Sequence, residues 1–187
     1  MREDWVMRKF FGLVVAAILL TGCSSGDHHD SMDMPAATPG SAYSSTDLMF
    51  AEMMIPHHQQ ALVMSELALT RSTNADVLAL AQEISAAQEP EIEQMKSWGA
   101  TGEEHAGHQM DGMLSDEELA ALEAASGAEF DRLFLEGMIK HHQGAIDMAQ
   151  MVLASENAEA KALGESIVAT QQAEIKRMQE LLQAIGS

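Results

Sequence analysis

The 187-residue chain has a single cysteine, few aromatic residues (5 Phe, 2 Trp, 1 Tyr) and only 10 Lys and Arg against 29 Asp and Glu. One cysteine, Cys23, excludes an internal disulfide framework and any Cys-rich zinc or iron–sulfur site. The formal net charge of −19 leaves no basic surface for phosphates, which argues against nucleic acid as a partner and favours cations. What is present is apolar and helix-forming: 47% hydrophobic residues, with abundant Ala, Leu, Gln, Glu and an unusual 15 Met. That content excludes a wholly disordered chain, and the length suits one domain with a tail.

Arg8 and Lys9 precede an apolar run over residues 10–20 that ends in Leu20-Thr21-Gly22-Cys23. The run is too short to span a bilayer as a helix but has the length of a signal-peptide core. The small pair before a lone cysteine resembles a bacterial lipoprotein box, with residues 1–22 as signal and Cys23 as the lipidated first residue. Glu3 and Asp4 are unusual in a signal; a start at Met7 would leave an ordinary Met7-Arg8-Lys9 opening. Removing 22 residues leaves 165, with a formal charge of −20 and 13 Met. The expected location is the outer side of the cytoplasmic membrane, the periplasm or the outer membrane, with the membrane as partner through Cys23.

Residues 23–45 are rich in Ser, Asp, Gly and Pro without periodicity and read as a flexible tether. Helical spacing begins at about 47–70, with Ser45 or Thr46 as its cap. Asn74 is placed to cap a second helix running to about Trp98, with Gly99 as its stop. A Gly-, His- and Met-containing loop fills 99–114. Ser115-Asp116-Glu117-Glu118 is a capping-box pattern opening a short helix, and helices over about 128–154 and 157–185 complete the folded part, 46–187.

The organising feature is an internal repeat. Asp47, Phe50, Glu52, Met54, Ile55, His57, His58, Gln59, Ala61 and Met64 recur 84 positions later as Asp131, Phe134, Glu136, Met138, Ile139, His141, His142, Gln143, Ala145 and Met148. Ile84, Gln88, Glu91, Ile92 and Met95 recur 83 positions later as Ile167, Gln171, Glu174, Ile175 and Met178. Each repeat is one αα-hairpin, unable to bury its apolar face alone. Two docked together predict an all-α, antiparallel four-helix bundle with a pseudo-two-fold axis. Pro56 and Pro90 fall inside the first hairpin's helices and predict kinks there; the second repeat has Lys140 and Ala173 instead.

A helix turns about 100° per residue. With Phe130 at zero, Phe134, Ala145 and Val152 mark the core at about 40–60°. His141 falls near ~20°, Met148 near ~0°, Met138 near ~80° and His142 near ~120°, at the edge of the stripe. Glu136, Lys140, Gln143 and Asp147 fall on the opposite face. The repeat places Met54, His57 and Met64 alike; His58, like His142, is a ligand or lies behind the ligands. Gln88, Glu91 and Met95 share one stripe of the second helix, as Gln171, Glu174 and Met178 do on the fourth. Histidine, methionine and one or two carboxylates thus converge from four helices. Thioether sulfur is soft and selects Cu(I), and by the same softness Ag(I); imidazole suits copper too, whereas Mg²⁺ and Ca²⁺ want oxygen. Glu91 and Glu174 are positioned to orient the rings, with Gln88 and Gln171 beside them. Against this stands the ordinary role of Met at helical spacing as core filler, and of a core His as a hydrogen-bonded structural residue.

Two further clusters, His28, His29, Met32 and Met34 in the tether and His105, His108, Met110 and Met113 in the loop, look like auxiliary metal scavengers. Solvated low-complexity sequence is the plainer alternative.

The spacing Asp-x2-Phe-x3-Met-Ile-x-His-His-Gln-x-Ala-x2-Met, followed by Gln-x2-Glu-Ile-x2-Met and occurring twice, resembles the bacterial domain-of-unknown-function family 305 (DUF305) over about residues 46–185. The resemblance implies a ferritin-like four-helix bundle, exported or lipid-anchored, with copper binding and tolerance in some members. Its His-His-Met pattern falls on Met54, His57, His58, Met64, Met138, His141, His142 and Met148. Di-iron oxidation, which a ferritin-like fold suggests, needs Glu-x-x-His on two helices; the chain contains none. The leading expectation is therefore a non-enzymatic envelope lipoprotein that binds Cu(I) or Ag(I) for sequestration, tolerance or transfer, without an organic cofactor. The competing ones are a structural or partner-binding bundle and, last, a metal oxidase.

Overall fold

The structure, a computed structural model, describes residues 42–104 and 110–186. Cys23, His28, His29, Met32, Met34, His105 and His108 lie outside the described residues. Five helices and no strand occur among the described residues: α1 Ser45–Arg71, α2 Ala75–Ser97, α3 Asp116–Ala124, α4 Gly127–Ala149 and α5 Ala158–Ile185.

The boundaries follow local chemistry. Ser44, not Ser45 or Thr46, caps α1: its hydroxyl accepts from the Asp47 N–H at 3.1 Å while the Asp47 carboxylate accepts from the Ser44 N–H at 2.8 Å. Asp at the third helical position completes the box that Ser45 could not. Asn74 caps α2, and Ser115 with Glu118 forms the box expected at α3. Gly99 sits beyond α2 at φ 101°, a conformation that favours glycine. The α4 helix ends at Ala149 rather than 154, because its last turn tightens into i→i+3 bonds, Met151 N–H to Met148 O and Val152 N–H to Ala149 O. Val152 still reaches the core. Both α1 and α2 run unbroken through Pro56 and Pro90.

α1 and α2 form one hairpin, α4 and α5 the other, and the hairpins meet chiefly along α1 and α4. Their antiparallel pairing makes the four-helix bundle expected from the repeat. Its interior is not one continuous apolar core. One cluster contains Phe50, Met54, Ile55, Ile92, Met95, Trp98, Met148, Val152 and Ile167. The other contains Ala61, Met64, Leu80, Ile84, Phe130, Phe134, Met138 and Met178. Each long helix passes from one cluster to the other, and its transition is where His57, His58, Gln88, Glu91, His141, His142, Gln171 and Glu174 occur. The bundle is two apolar halves with a polar layer between them.

The end of the bundle where the chain enters is fastened by Tyr43. Its ring stacks on Trp98, 4.8 Å between centroids, and its hydroxyl donates to Glu159 at 2.6 Å. Glu159 also accepts from the Trp98 indole and the Gln94 amide. These hydrogen bonds hold the Glu159 carboxyl below the usual range, while burial and Glu159 together push the Tyr43 hydroxyl up to about 12.

Candidate metal centre

The polar layer is built around a pair of imidazoles packed against each other at a tilt. His57 on α1 and His141 on α4 are both fully buried, their centroids 3.8 Å apart and their planes 39° apart. The neighbouring His58 and His142 are also fully buried, although helical geometry puts His142 only at the edge of the inward stripe. The difference comes from the second helix of each hairpin. His58 Nε2 meets the Glu91 carboxylate at 2.8 Å, and His142 Nε2 meets Glu174 at 2.6 Å. Each glutamate side chain keeps 14–15% of its surface exposed, so each dyad runs from the bundle surface inwards.

The hydrogen bonds settle which ring nitrogen carries the proton. A backbone carbonyl can only accept, so His141 Nε2–H donates to the His57 carbonyl at 2.9 Å, and His57 Nε2–H donates to the Asp111 carbonyl at 3.3 Å. At the dyads Nε2 faces a carboxylate and donates to it. In every neutral ring Nδ1 then keeps its lone pair. All four Nδ1 atoms are buried and unpartnered among the described residues. Burial also keeps the central pair uncharged: desolvation, reinforced by the neighbouring histidines, lowers His57 from 6.5 to about 3 and His141 well below its ordinary value. The side-chain amides of Gln88 and Gln171, at the same level on α2 and α5, are buried and unpartnered as well.

Unpartnered buried acceptors are costly, roughly 1–3 kcal/mol each. A soft or borderline cation requires neutral rings with a free lone pair, and the uncharged His57 and His141 meet that requirement. Thioethers stand on both sides. Met54 and Met138 are one helical turn from His57 and His141, about 4.5 Å of axial rise, in opposite apolar clusters. Met64 and Met148 are two turns away, about 10.5 Å of rise, packed into the clusters with Phe130, Phe134 and Phe50. Among the described residues, no three His, Cys, Asp or Glu side chains come together as a ready-made metal cluster. Met110 is half-buried against the first apolar cluster, and Met113 is half-buried beside it in sequence.

Three residues not counted among the candidate site residues hold the loop beside this layer. Asp111 supplies the carbonyl on His57. Gln60 holds the Leu114 backbone, its amide donating to Leu114 O at 3.0 Å and accepting from Leu114 N–H at 2.8 Å. Glu52, buried, accepts from the N–H groups of Thr101 and Gly102 at 2.7 and 2.6 Å, whereas its repeat equivalent Glu136 is exposed and paired with Arg132. A sequence signal existed for Gln60: its repeat partner is Gly144, a glycine inside a helix, which marks close backbone approach.

These features, a twice-repeated His-His motif on facing helices with a glutamate from each hairpin partner, define a class. The profile of the family described as a domain of unknown function, DUF305, matches residues 47–182, and the chain belongs to that family. Its crystallised members include a Streptomyces coelicolor protein described as secreted, 29% identical, with a TM-score of 0.69 over 76% of this chain and 94% of that one. A DUF305 fragment from Deinococcus radiodurans is 33% identical, with a TM-score of 0.67 over 80% and 99%. CopM in its Cu(II)-bound form is 37% identical, with a TM-score of 0.65 over 74% and 96%, and CopM structures in Cu(I)-bound, Ag-bound and apo forms are similar as well. No curated protein matches the sequence. No described helix is long and apolar enough to cross a membrane.

Proposed function

We propose that this protein binds a soft monovalent metal ion, Cu(I) or Ag(I), in the cell envelope, and sequesters it or passes it on without catalysing a reaction. The observation that carries the reading is the set of four buried imidazoles whose Nδ1 atoms have no hydrogen-bond partner. His57 and His141, with thioethers from Met54 and Met138 nearest in the helices, are the first ligands. Met64 and Met148, two helical turns away in the apolar clusters, are not in this first set. Glu91 and Glu174 hold His58 and His142 in the tautomer that exposes Nδ1. The likeness to CopM, solved with Cu(I), Cu(II) and Ag, supports a metal as cargo. The likeness to a protein described as secreted supports export, with lipidation of Cys23 as the anchor. The tether and loop clusters would collect ions at weaker sites, aided by the acidic exterior.

The test is a Cu(I) titration against a competing chelator. The wild-type protein should take up at least one tight equivalent, and His57→Ala with His141→Ala should lose it. Unchanged affinity would move binding to the tether and loop clusters, and no tight binding in the wild type would overturn the reading. A purely structural bundle remains the second reading, favoured by the two His–Glu hydrogen bonds and by the lack of a preformed three-ligand cluster among the described residues. Oxygen consumption in the presence of Cu(I) should not exceed that of buffer; turnover would establish an oxidase instead.

A further inference from the structure

The two hairpins repeat one another, yet one side of the polar layer is covered by something the repeat does not contain. Met110–Met113 forms a turn closed by the Met113 N–H to the Met110 carbonyl at 3.1 Å, with Gly112 at its third position at φ 84°. That value is the one a type II turn requires, and it sets the direction of the Asp111 carbonyl. The carbonyl accepts from His57 Nε2–H. The turn lies directly against α4: a Cβ on Gly144 would stand 2.1 Å from Asp111 O, and one on Gly112 would stand 2.8 Å from both Gly144 Cα and Lys140 O. Leu114 ends the segment with its side chain over Gly137, buried in the second apolar cluster, and its backbone is held on both sides by Gln60.

The receiving positions are those where the repeats diverge. Gln60 on α1 corresponds to Gly144 on α4, and Met53 to Gly137. One hairpin supplies the clamp and the other supplies the room. We propose that Met110–Leu114 is a strap closing the His57 side of the imidazole layer, and that Gln60 is its positioning residue. The strap makes the two central histidines unequal. His141 donates to a carbonyl fixed inside α1. His57 donates to a carbonyl that leaves when the strap lifts, so His57 is the ring that turns to meet an incoming ion, beside the thioethers of Met110 and Met113. The strap stands on geometry alone; its role as a gate rests on the metal-binding reading.

The experiment uses the mature chain with ¹⁵N-labelled histidine and Ag(I) as the probe. Gln60→Ala removes the clamp, Gly144→Ala displaces the turn, and Gln59→Ala, an exposed neighbour, is the control. Two lost hydrogen bonds should raise solvent exchange of the His57 Nε2–H by at least about tenfold, with the His141 Nε2–H unchanged. Ag(I) uptake in stopped flow should accelerate by a similar factor at constant stoichiometry. If Gly144→Ala fails to fold, Gln60→Ala carries the test. Equal exchange of both rings in wild type and variant would overturn the strap. Faster His57 exchange without faster uptake would overturn the gate. Absence of Ag(I) binding by the wild type would overturn the metal reading, and the exchange result would still decide the strap.

Discussion

Replacing His141 by leucine separates a binding role from a structural one, because the two predict stability changes of opposite sign. In the metal-free protein the His141 side chain makes one hydrogen bond, to the His57 carbonyl, and its ring packs at a tilt against the His57 ring. Losing an ordinary hydrogen bond costs about 1 kcal/mol. The carbonyl left behind lies in a helix interior, where the backbone ladder also uses it. Against this, the substitution removes a buried Nδ1 with no partner, worth roughly 1–3 kcal/mol, and puts an aliphatic side chain of similar size between two apolar clusters. The net expectation is a metal-free variant about 0–2 kcal/mol more stable than wild type, or up to about 6–8 °C in Tm for a domain of this size. Urea unfolding in the presence of chelator measures it, with an unchanged m-value as the check that the same transition is observed. The order should reverse on adding ion. At a free concentration a hundred times Kd, a ligand that binds only the folded state adds about 2.7 kcal/mol to wild type, and the variant should gain much less. A loss of more than about 2 kcal/mol in the metal-free variant would refute the reasoning and make His141 a structural residue.

Acid should destabilise the metal-free protein through the same pair. The unfolded histidine takes up a proton below 6.5, whereas folded His57 does so only near 3, so stability falls as pH drops through that window, by about 1.4 kcal/mol per pH unit for His57. His141 is shifted in the same direction, and His141→Leu should therefore shallow the slope measured by urea titrations between pH 6.5 and 4.5. Glu52→Ala removes two charge-assisted bonds to Thr101 and Gly102 and should cost about 2–4 kcal/mol, with rapid amide exchange appearing at both positions; protected amides would show that the loop is held by other contacts. Tyr43→Phe keeps the stack on Trp98 and loses the exposed hydroxyl bond to Glu159, so its stability should change by about 1 kcal/mol. Tyr43→Ala should alter Trp98 fluorescence and near-ultraviolet circular dichroism, and identical spectra would mean the stack does not persist in solution.

The helices and their pairing were legible because the repeat is written in apolar spacing, and spacing of period 3.6 fixes which face turns inward. The same arithmetic left His142 at the stripe's edge. It fails there because angular position on one helix says nothing about the second helix, and Glu174 from α5 is what draws the His142 ring in. Methionine is the converse case. Met64 and Met148 share the inward face with the histidines, but axial rise separates them by two turns and delivers them to Phe130, Phe134 and Phe50. A face is a direction, not a height, so the stripe overstated which thioethers stand beside the rings.

The loop was least legible, since glycine and short polar residues carry no periodicity. Its contacts are backbone contacts: Asp111 O on His57, Leu114 N–H and O on Gln60, and Thr101 and Gly102 N–H on Glu52. Peptide groups are the same in every residue, so composition could not point to them. The departures from symmetry could. Where a pseudo-two-fold bundle carries Gln60 on one helix and Gly144 on its mate, an element outside the repeat must occupy the space between. The side chains common to both hairpins build the imidazole layer. The positions at which the hairpins differ determine which of the two central histidines is covered by Asp111.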